Sequence, residues 1–277
     1  MTLPTFLGIG APRAGTTWLH TLAASHPDVY MPGARKEIRF FDVHYERGVG
    51  WYEGFFCSED EATRYRAIGE ISPQYLLCER CPERIAETLP DCKLIVMLRH
   101  PVARAYSQYG FFVQRRHYTG SFEDFVLERP LALEKGFYSR YLKRYLERFD
   151  RSRFLVLVSE DVFADVAEAR SAVAAFLGIR VDRFPGTAGR GKVNASSVPD
   201  HPALAGIGSV AARRLRRWHL EPVVDLALRS PLKTFVSKGR SLPPLDAELK
   251  RQLGRRFEDE FGELERSLQI DLSSWRS

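Results

Sequence analysis

A glycine loop that contains an arginine stands near the start of the chain. Gly10 to Trp18 reads GAPRAGTTW, directly after the apolar run Phe6 to Ile9 and directly before the amphipathic stretch Leu19 to Ala24. A strand, a glycine loop and a helix start in this order present consecutive backbone N–H groups and a positive helix end to an anion. The loop therefore predicts a site for phosphate or a group of similar shape, and a tight turn that binds nothing is the alternative.

The spacing of the glycines separates this loop from that of a nucleoside triphosphatase. Four residues lie between Gly10 and Gly15, as in a triphosphate loop, but Thr16 and Thr17 stand where Lys and then Ser or Thr are expected. The cation is Arg13, inside the loop. This displacement argues against an ATPase or GTPase and favours a ligand whose charged end lies over the loop.

A second segment that could bind a ligand follows a predicted buried strand. Leu94 to Leu98 is a continuous apolar run, typical of a parallel strand covered on both faces. Arg99 then lies at the carboxyl end of that strand, where open α/β sheets bind ligands. Pro101 suits the first position of a helix, and Ser107 falls two turns into it. Arg99 and Ser107 are predicted to receive a second phosphate, unless Arg99 merely pairs with a carboxylate at the sheet edge.

Together these segments resemble the sulfotransferases that use 3′-phosphoadenosine 5′-phosphosulfate (PAPS), and among them the heparan-sulfate or carbohydrate type. The family binds the 5′-phosphosulfate with a loop of Lys or Arg, a small residue and Gly-Thr, and the 3′-phosphate with Arg-x-Pro-x-x-Arg-x-x-Ser. Arg99 to Ser107 has the second pattern. Further similar segments are KEIRFFD from Lys36, GEISPQYL from Gly69, GFYSRYLKRYLERF from Gly136 and the tail from Asp271. The resemblance implies that PAPS is bound by Arg13, Ala14, Gly15, Thr16, Thr17, Trp18, Arg99 and Ser107, with a weaker indication for Lys192.

The same resemblance implies a general base. Glu37 matches the catalytic glutamate of the heparan-sulfate enzymes, and Arg35, Lys36 and Arg39 around it favour its ionised form. An acceptor alcohol needs such a base to remove its proton. Without the resemblance Glu37 would be interpreted as a surface acid in a charged turn. Asp42 is predicted either to orient the acceptor or to fix Arg39.

Arg13 is expected to act electrostatically on the departing phosphate, because arginine stays charged where the lysine of many members could donate a proton. Transfer of the sulfuryl group is not expected to require a metal.

Two residues depart from the pattern of the heparan type. Arg39 occupies a position where those enzymes tend to have His, and Ile71 occupies one where they have a basic residue, which weakens the case for a polyanionic acceptor. A P-loop kinase or NTPase, with magnesium held near Ser159 to Asp161, and a non-catalytic nucleotide-binding module are the alternatives.

The fold expected from the chain is α/β. Apolar runs alternate with amphipathic ones, which is the rhythm of a parallel sheet, and no linker divides the 277 residues. Residues 1–277 are predicted to form a single three-layer domain with helices on both sides of the sheet, and the resemblance implies the P-loop NTPase-like sulfotransferase fold. The stretch 183–242 is expected to cover the crevice. The predicted strands are Phe6 to Ile9, Ala67 to Glu70, Leu94 to Leu98 and Phe154 to Val158.

Charge and composition bound the partners. A net charge of +6 suits an anionic nucleotide as well as acidic lipid, glycan or nucleic acid. Aromatic and basic residues do not interleave in a way that marks a platform for single-stranded nucleic acid, so nucleic-acid binding is not expected, and the arginine run from Arg213 is expected to be a solvated helix face. No leader or membrane span is apparent, which predicts a cytoplasmic protein. The oligomeric state stays open.

Two features of the sequence do not bear on the donor. Cys78 and Cys81 form a single close pair, which favours free thiols over a zinc site. An aromatic cluster follows the predicted base and could wall an acceptor pocket for a lipid, polyketide, sterol or sugar ring, or could be ordinary core. Its members are Tyr45, Trp51, Tyr52, Phe55 and Phe56.

Overall fold

The computed structural model describes residues 2–33, 36–189, 197–199 and 239–276. Lys192, which the sequence nominated for donor binding, lies outside the described residues, as do Arg35 and the arginine run from Arg213. Most of the stretch predicted to cover the crevice lies outside them too.

The centre of the molecule is a sheet of five parallel strands in the order β2-β3-β1-β4-β5. Every residue of β1 and β3 is buried, and so is all of β4 except its first residue, because helices flank the sheet. The predicted α/β fold and its four strands are confirmed. A fifth strand of two residues escaped prediction, since two residues carry no periodicity. The strands are β1 (Phe6–Gly10), β2 (Val29–Tyr30), β3 (Ala67–Ile71), β4 (Lys93–Leu98) and β5 (Phe154–Val158).

A two-stranded antiparallel pair lies apart from this sheet, formed by β6 (Ser197–Pro199) and β7 (Gly239–Ser241). The α-helices are numbered along the described residues. They are α1 (Thr16–Ala24), α2 (Val49–Glu53), α3 (Glu59–Ala62), α4 (Cys81–Thr88), α5 (Pro101–Arg116), α6 (Phe122–Glu128), α7 (Leu131–Glu134), α8 (Ser139–Leu146), α9 (Ser159–Ala164), α10 (Val166–Leu177), α11 (Ala247–Gly254), α12 (Glu258–Leu268) and α13 (Ser273–Arg276). A π-helical turn covers Phe40–His44, and a 3₁₀ turn covers Pro73–Leu77.

Local sequence explains where α5 begins and ends. Pro101 is its first residue, as predicted, and the His100 ring accepts a hydrogen bond from the Val102 N–H, so the side chain caps the helix. His117 ends the helix in the left-handed region with φ 56°. Because α5 starts directly after β4, Arg99 and the first turns of α5 lie at the carboxyl edge of the sheet.

The C-terminal helices pack back onto the same part of the fold. Trp275 of α13 lies against Phe261, with ring centroids 5.2 Å apart, and against Tyr138 at 6.3 Å. The buried Glu260 carboxylate of α12 accepts from the Ser139 N–H and hydroxyl, each at 2.7 Å. The end of the chain is thus part of the surroundings of the β4–α5 junction.

The described residues contain neither a membrane-spanning helix nor a cluster of metal ligands. None of their helices is long and apolar enough to cross a membrane. No group of three or more His, Cys, Asp or Glu side chains among them could hold a metal ion, and the four cysteines are free thiols.

Candidate functional site

The glycine loop joins β1 to α1 and leaves the start of α1 open. Gly15 has φ +100°, a backbone conformation that favours glycine, and a Cβ there would also displace the Met97 Cε, which would lie 2.9 Å away. Gly15 also occupies the N-cap position, and no described side chain caps the helix. The first N–H groups of α1, at Thr16 and Thr17, therefore face the loop side, where an anion would be stabilised.

Arg13 joins this loop to α5. Its backbone is left-handed, with φ 73°, which is uncommon outside glycine. Its guanidinium donates to the Ser107 hydroxyl at 3.3 Å and to the Ser107 carbonyl at 2.9 Å, and it lies 5.3 Å from the centre of the Phe111 ring. The sequence placed Arg13 and Ser107 in two separate phosphate receptors. The structure brings them into contact, so the two receptors are continuous.

Arg99 lies on the other side of Arg13. Its guanidinium donates to the Arg13 carbonyl at 3.4 Å, and its own carbonyl accepts from the Tyr138 hydroxyl at 2.8 Å. The nearby Glu160 carboxylate accepts from the His100 N–H at 3.2 Å and from the Trp275 indole N–H at 3.0 Å. Glu160 thus holds the backbone beside Arg99, and no ion pair within 4 Å joins Arg99 to a carboxylate among the described residues.

Several cations lie close together here, and the Glu160 carboxylate opposes only part of their charge, since it raises the pKa of Arg99 that burial lowers. Burial lowers the pKa of Arg13, and the neighbouring Arg99 and Arg104 lower it further. Burial and Arg99 likewise lower the pKa of Arg104, whose side chain is 1% exposed and whose Nε has no partner among the described residues. The pKa of Lys135 is lowered by burial and by Arg104. Charges of one sign held together in a low dielectric create a strong demand for an anion.

The predicted base reaches the same cleft from another segment. Glu37 is half-buried and lines the cleft beside Thr17. Lys36 donates to the Thr17 hydroxyl at 2.6 Å, and burial lowers its pKa while Glu37 opposes that shift. The base segment and the glycine loop are therefore in direct contact.

Arg39 and Asp42 form an ion pair. Asp42 was predicted either to orient the acceptor or to fix Arg39, and this contact favours the second role. The Arg39 Nε lies 3.0 Å from the Asp42 Oδ2, and the Asp42 side chain is 8% exposed. Asp42 thus fixes Arg39. Arg39 itself has a left-handed backbone with φ 60°, and its N–H donates to the Ser72 hydroxyl at 3.1 Å.

In the aromatic cluster after the base, Tyr52 and Phe56 are buried core, Tyr45, Trp51 and Phe55 pack against that core half-buried, and none of the five lines the cleft. Tyr52 stacks on Phe40 with ring centroids 4.4 Å apart, and Phe56 meets Tyr52 edge-on at 5.1 Å. Trp51 packs against Phe55 at 4.8 Å. The rings thus serve mainly to support the base segment.

A single cleft of about 1070 Å³ brings most of the predicted site together. Leu242 to Leu245 also line it, and the Tyr106 hydroxyl of α5 donates to the Pro243 carbonyl at 2.7 Å. Predicted residues in its wall are Arg13, Gly15, Thr16, Thr17, Glu37, Arg99 and Ser107.

Two predicted donor residues do not line this cleft. Ala14 is fully buried, and the Trp18 indole is 1% exposed and donates to the Gly189 carbonyl at 2.9 Å. Sequence reasoning in turn did not assign Arg104, Lys135 and Phe111, which do line it. The sequence could have indicated Arg104, because it is the second arginine of the Arg-x-Pro-x-x-Arg-x-x-Ser pattern. No pattern in the sequence pointed to Lys135 or Phe111.

The parallel sheet thus brings a glycine loop, a second cationic strand end and a carboxylate to one cleft, an arrangement suited to an anionic ligand. Residues 4–192 match the family described as "Sulfotransferase domain". The chain belongs to this sulfotransferase family, which confirms the resemblance drawn from the motifs.

Individual relatives agree with this assignment. The chain is 32% identical over 185 residues to heparan sulfate glucosamine 3-O-sulfotransferase 6 of Mus musculus, covering 64% of this chain and 53% of that protein. It is 31% identical over 198 residues to the human bifunctional heparan sulfate N-deacetylase/N-sulfotransferase 2, covering 64% of this chain and 22% of that protein. The chain thus spans about half of the first relative's length.

Solved structures share the fold. A sulfotransferase from Alicyclobacillus acidocaldarius superposes with a TM-score of 0.68 at 24% identity, covering 100% of both chains. The sulfotransferase domain of the Synechococcus PCC 7002 olefin synthase gives a TM-score of 0.52 at 16% identity, covering 92% of this chain and 94% of that one. These similarities bear out the predicted sulfotransferase fold.

Proposed function

We propose that the cleft binds PAPS and that the chain transfers its sulfuryl group to an acceptor hydroxyl. The observation that carries the proposal is the convergence of the glycine loop, the Arg99–Ser107 segment and Glu37 on one cleft. An anion receptor at each end and a carboxylate beside one of them match a donor with phosphates at the 3′ and 5′ positions and an acceptor that must lose a proton.

The donor end of the proposal concerns the glycine loop. Negative charge builds on the bridging oxygen and the 5′-phosphate as the sulfuryl group departs, by analogy with phosphoryl transfer. The N–H groups of Thr16 and Thr17, their hydroxyls and the Arg13 guanidinium stabilise that charge. Lys36, held at the Thr17 hydroxyl, adds a cation between the departing phosphate and the base segment.

Arg99 and Ser107 receive the 3′-phosphate in this proposal. Arg13 contacts Ser107, so it stands between the two phosphates and serves both. Burial lowers the pKa of Arg13, and repulsion from Arg99 and Arg104 lowers it further; binding of the doubly phosphorylated nucleotide relieves that repulsion. Lys192 is proposed as a further phosphate contact from its position in the sequence alone.

Glu37 is proposed as the general base. It accepts the proton of the acceptor hydroxyl as the oxygen attacks sulfur in line with the leaving phosphate. Arg13 supplies only electrostatic stabilisation. An amine is a second acceptor type for the same step.

The acceptor is proposed to be a carbohydrate hydroxyl of low charge. The named relatives act on heparan sulfate, which favours a sugar. In this chain, however, Arg39 is neutralised by Asp42, and the buried Ile71 stands in place of a basic residue, so the base segment offers no free cation from these two positions. Lipid, polyketide and sterol alcohols are the other acceptors to be tested.

The kinase or NTPase alternative has less support. It needs a carboxylate for magnesium at the end of β5, and both Glu160 oxygens already accept hydrogen bonds, from the His100 N–H and the Trp275 indole. Residues 1–277 are proposed to act as one domain, because α12 and α13 reach the surroundings of Arg99.

The proposal is tested by incubating the protein with ³⁵S-labelled PAPS and a panel of neutral oligosaccharides, desulfated heparan, sterols and hydroxylated lipids. Label is expected to move to at least one hydroxylated acceptor, with neutral sugars preferred over the polyanion. Hydrolysis of ATP together with failure to transfer label to any acceptor would overturn the proposal.

A further inference from the structure

Glu70 is a buried carboxylate with no role in the reaction proposed above. It is the fourth residue of β3, is 1% exposed, and has no ion-pair partner within 4 Å among the described residues. Three hydroxyl groups donate to it: Ser72 at 2.7 Å, Tyr75 at 2.6 Å and Tyr52 at 3.2 Å. A lone buried carboxylate is costly, so its presence calls for an explanation.

Its surroundings favour the charged form only in part. Burial raises the pKa of Glu70 to about 7, and the three hydroxyls and the Ile38 N–H counteract that rise. The titratable groups that face it are Tyr52 from α2, Tyr75 from the 3₁₀ turn and Cys92 beside β4. Each of these is neutral near pH 7, since burial and Glu70 raise their pKa values. The orientation of the hydroxyls therefore depends on Glu70 itself.

A chain of hydrogen bonds connects Glu70 to the base segment. The Arg39 N–H donates to the Ser72 hydroxyl at 3.1 Å, and that hydroxyl donates to Glu70. The Ile38 N–H also stabilises the Glu70 carboxylate. Ile38 is the residue after Glu37, and Arg39 has the left-handed φ of 60° that turns the chain into the π-helical segment. Of the two consecutive N–H groups directly after the base, that of Ile38 acts on the Glu70 carboxylate directly and that of Arg39 is connected to it through the Ser72 hydroxyl.

We propose that Glu70 is a positioning residue, which through Ser72 and the backbone of residues 38 and 39 fixes the direction in which Glu37 enters the cleft. This inference rests on the proposed function. Ionised Glu70 accepts from all its donors at once. A protonated or amide side chain must turn one hydrogen toward a group that already donates, so the anchor loosens. Displacement of a catalytic group by about 1 Å lowers turnover by as much as about 100-fold.

The test compares three variants. Glu70→Gln and Ser72→Ala interrupt the chain to Arg39, whereas Tyr52→Phe removes a hydroxyl from the same carboxylate but leaves that chain intact. With labelled PAPS we expect kcat to fall roughly 10- to 100-fold in the first two and less than about 3-fold in Tyr52→Phe. The Kd for adenosine 3′,5′-bisphosphate should stay within about 3-fold in all three, because the donor receptors are built elsewhere.

Two further readouts separate positioning from a loss of stability. Wild type and Tyr52→Phe should lose turnover as the pH falls through about 7, the pKa of Glu70, and Glu70→Gln should lack this limb. Amide hydrogen exchange of residues 38–41 should accelerate in Glu70→Gln and Ser72→Ala but not in Tyr52→Phe. If Glu70→Gln does not fold, Ser72→Ala carries the comparison.

The outcomes distinguish this inference from the function on which it rests. Full turnover in Ser72→Ala and Glu70→Gln, with loss of turnover in Glu37→Gln, would overturn the positioning role and leave the sulfotransferase intact. If the wild type transfers no sulfuryl group, the proposed function fails, and hydrogen exchange alone then decides whether Glu70 anchors the segment. Unchanged exchange in both variants would contradict the anchor.

Discussion

The donor side and the base side of the cleft each contain an arginine in the left-handed backbone region, and the two are held in opposite ways. Arg13, with φ 73°, is tied down by its side chain, which bonds to Ser107. Arg39, with φ 60°, is tied down by its backbone N–H, which bonds to Ser72 and so to Glu70. Conformations of this kind persist only where the surroundings enforce them, and they cluster at functional sites.

The difference lies in what each side still lacks. On the donor side, burial lowers the pKa of Arg13, Arg99 and Arg104, and Arg99 lowers the pKa of the other two further. On the base side, Asp42 neutralises Arg39, and hydroxyl groups satisfy Glu70. Under the proposed function the nucleotide completes the donor receptor, whereas the hydrogen bonds of the base segment are already formed without a ligand. Substitutions on the two sides should separate donor affinity from turnover.

The largest effect is expected from Glu37→Gln. Loss of a general base lowers kcat by about 10²- to 10⁴-fold, while the Kd for adenosine 3′,5′-bisphosphate, measured by calorimetry, should be unchanged. Glu46→Gln is the control, because that side chain is 91% exposed and lies outside the cleft wall. If Glu37→Gln turns over within about 3-fold of wild type, Glu37 is not the general base.

Opposite pH dependences of stability should distinguish the two sides. Burial lowers the pKa of His100, beside Arg99, to about 4, so below its ordinary value of 6.5 the unfolded chain binds a proton that the folded chain does not. Stability from His100 is therefore lost as the pH falls. The pKa of Glu70 is raised from 4.5 to about 7, so in that window the folded chain keeps a proton that the unfolded chain has released. Stability from Glu70 is lost as the pH rises.

Urea unfolding between about pH 5 and pH 6.5 measures both slopes relative to wild type. Over that window the difference in the free energy of unfolding, Glu70→Gln minus wild type, should increase by about 2 kcal/mol as the pH rises. The variant lacks the Glu70 carboxyl, whose titration makes the wild type less stable as the pH rises. For His100→Asn, which keeps a capping side chain, the same difference should decrease by a similar amount as the pH rises. Parallel curves for all three proteins would mean that neither group titrates differently on folding.

Arg99→Ala should weaken the binding of adenosine 3′,5′-bisphosphate by about 10- to 100-fold, the usual cost of a charged hydrogen-bonding partner. Its kcat at saturating donor should change much less than that of Glu37→Gln. The exposed Arg64 gives a matched control, Arg64→Ala. If the two variants bind the nucleotide equally well, Arg99 is not a phosphate ligand.

Trp275→Phe should have the smallest effect. It removes the 3.0 Å hydrogen bond to Glu160 but keeps most of the ring packing, so the donor Kd should rise about 2- to 10-fold through the loop beside Arg99. Trp51→Phe, in the aromatic cluster outside the cleft wall, should leave that Kd unchanged. The same measurement on both variants checks the prediction. An equal effect would point to general destabilisation.

The sequence predicted the donor side better than the base side. The strands β1 and β4 are continuous apolar runs, and the loop and Pro101 mark where the following helices begin, so Arg13, Arg99 and Ser107 could be placed at one sheet edge. Their direct contact could not be predicted, because it depends on the left-handed backbone of Arg13 and on the rotation of α5.

The base segment depends on features with no periodicity. The family resemblance nominated Glu37, but the left-handed Arg39 and the π-helical Phe40–His44 leave no signature in a single sequence. The sequence showed Glu70 only as part of a strand end, because its three hydroxyl partners come from 18 residues before it and from 2 and 5 residues after it. The aromatic cluster could be assigned to core only once its packing was known.

Calorimetric titration of the wild-type protein with adenosine 3′,5′-bisphosphate and, separately, with ATP and magnesium tests the central claim most directly. That claim is that one cleft holds both phosphates of a doubly phosphorylated adenosine. We predict at least about 10-fold tighter binding of the bisphosphate, from the charged contacts that Arg99 and Ser107 would make, and loss of that preference in Arg99→Ala and Ser107→Ala. Equal or tighter binding of magnesium ATP by the wild type would contradict the account.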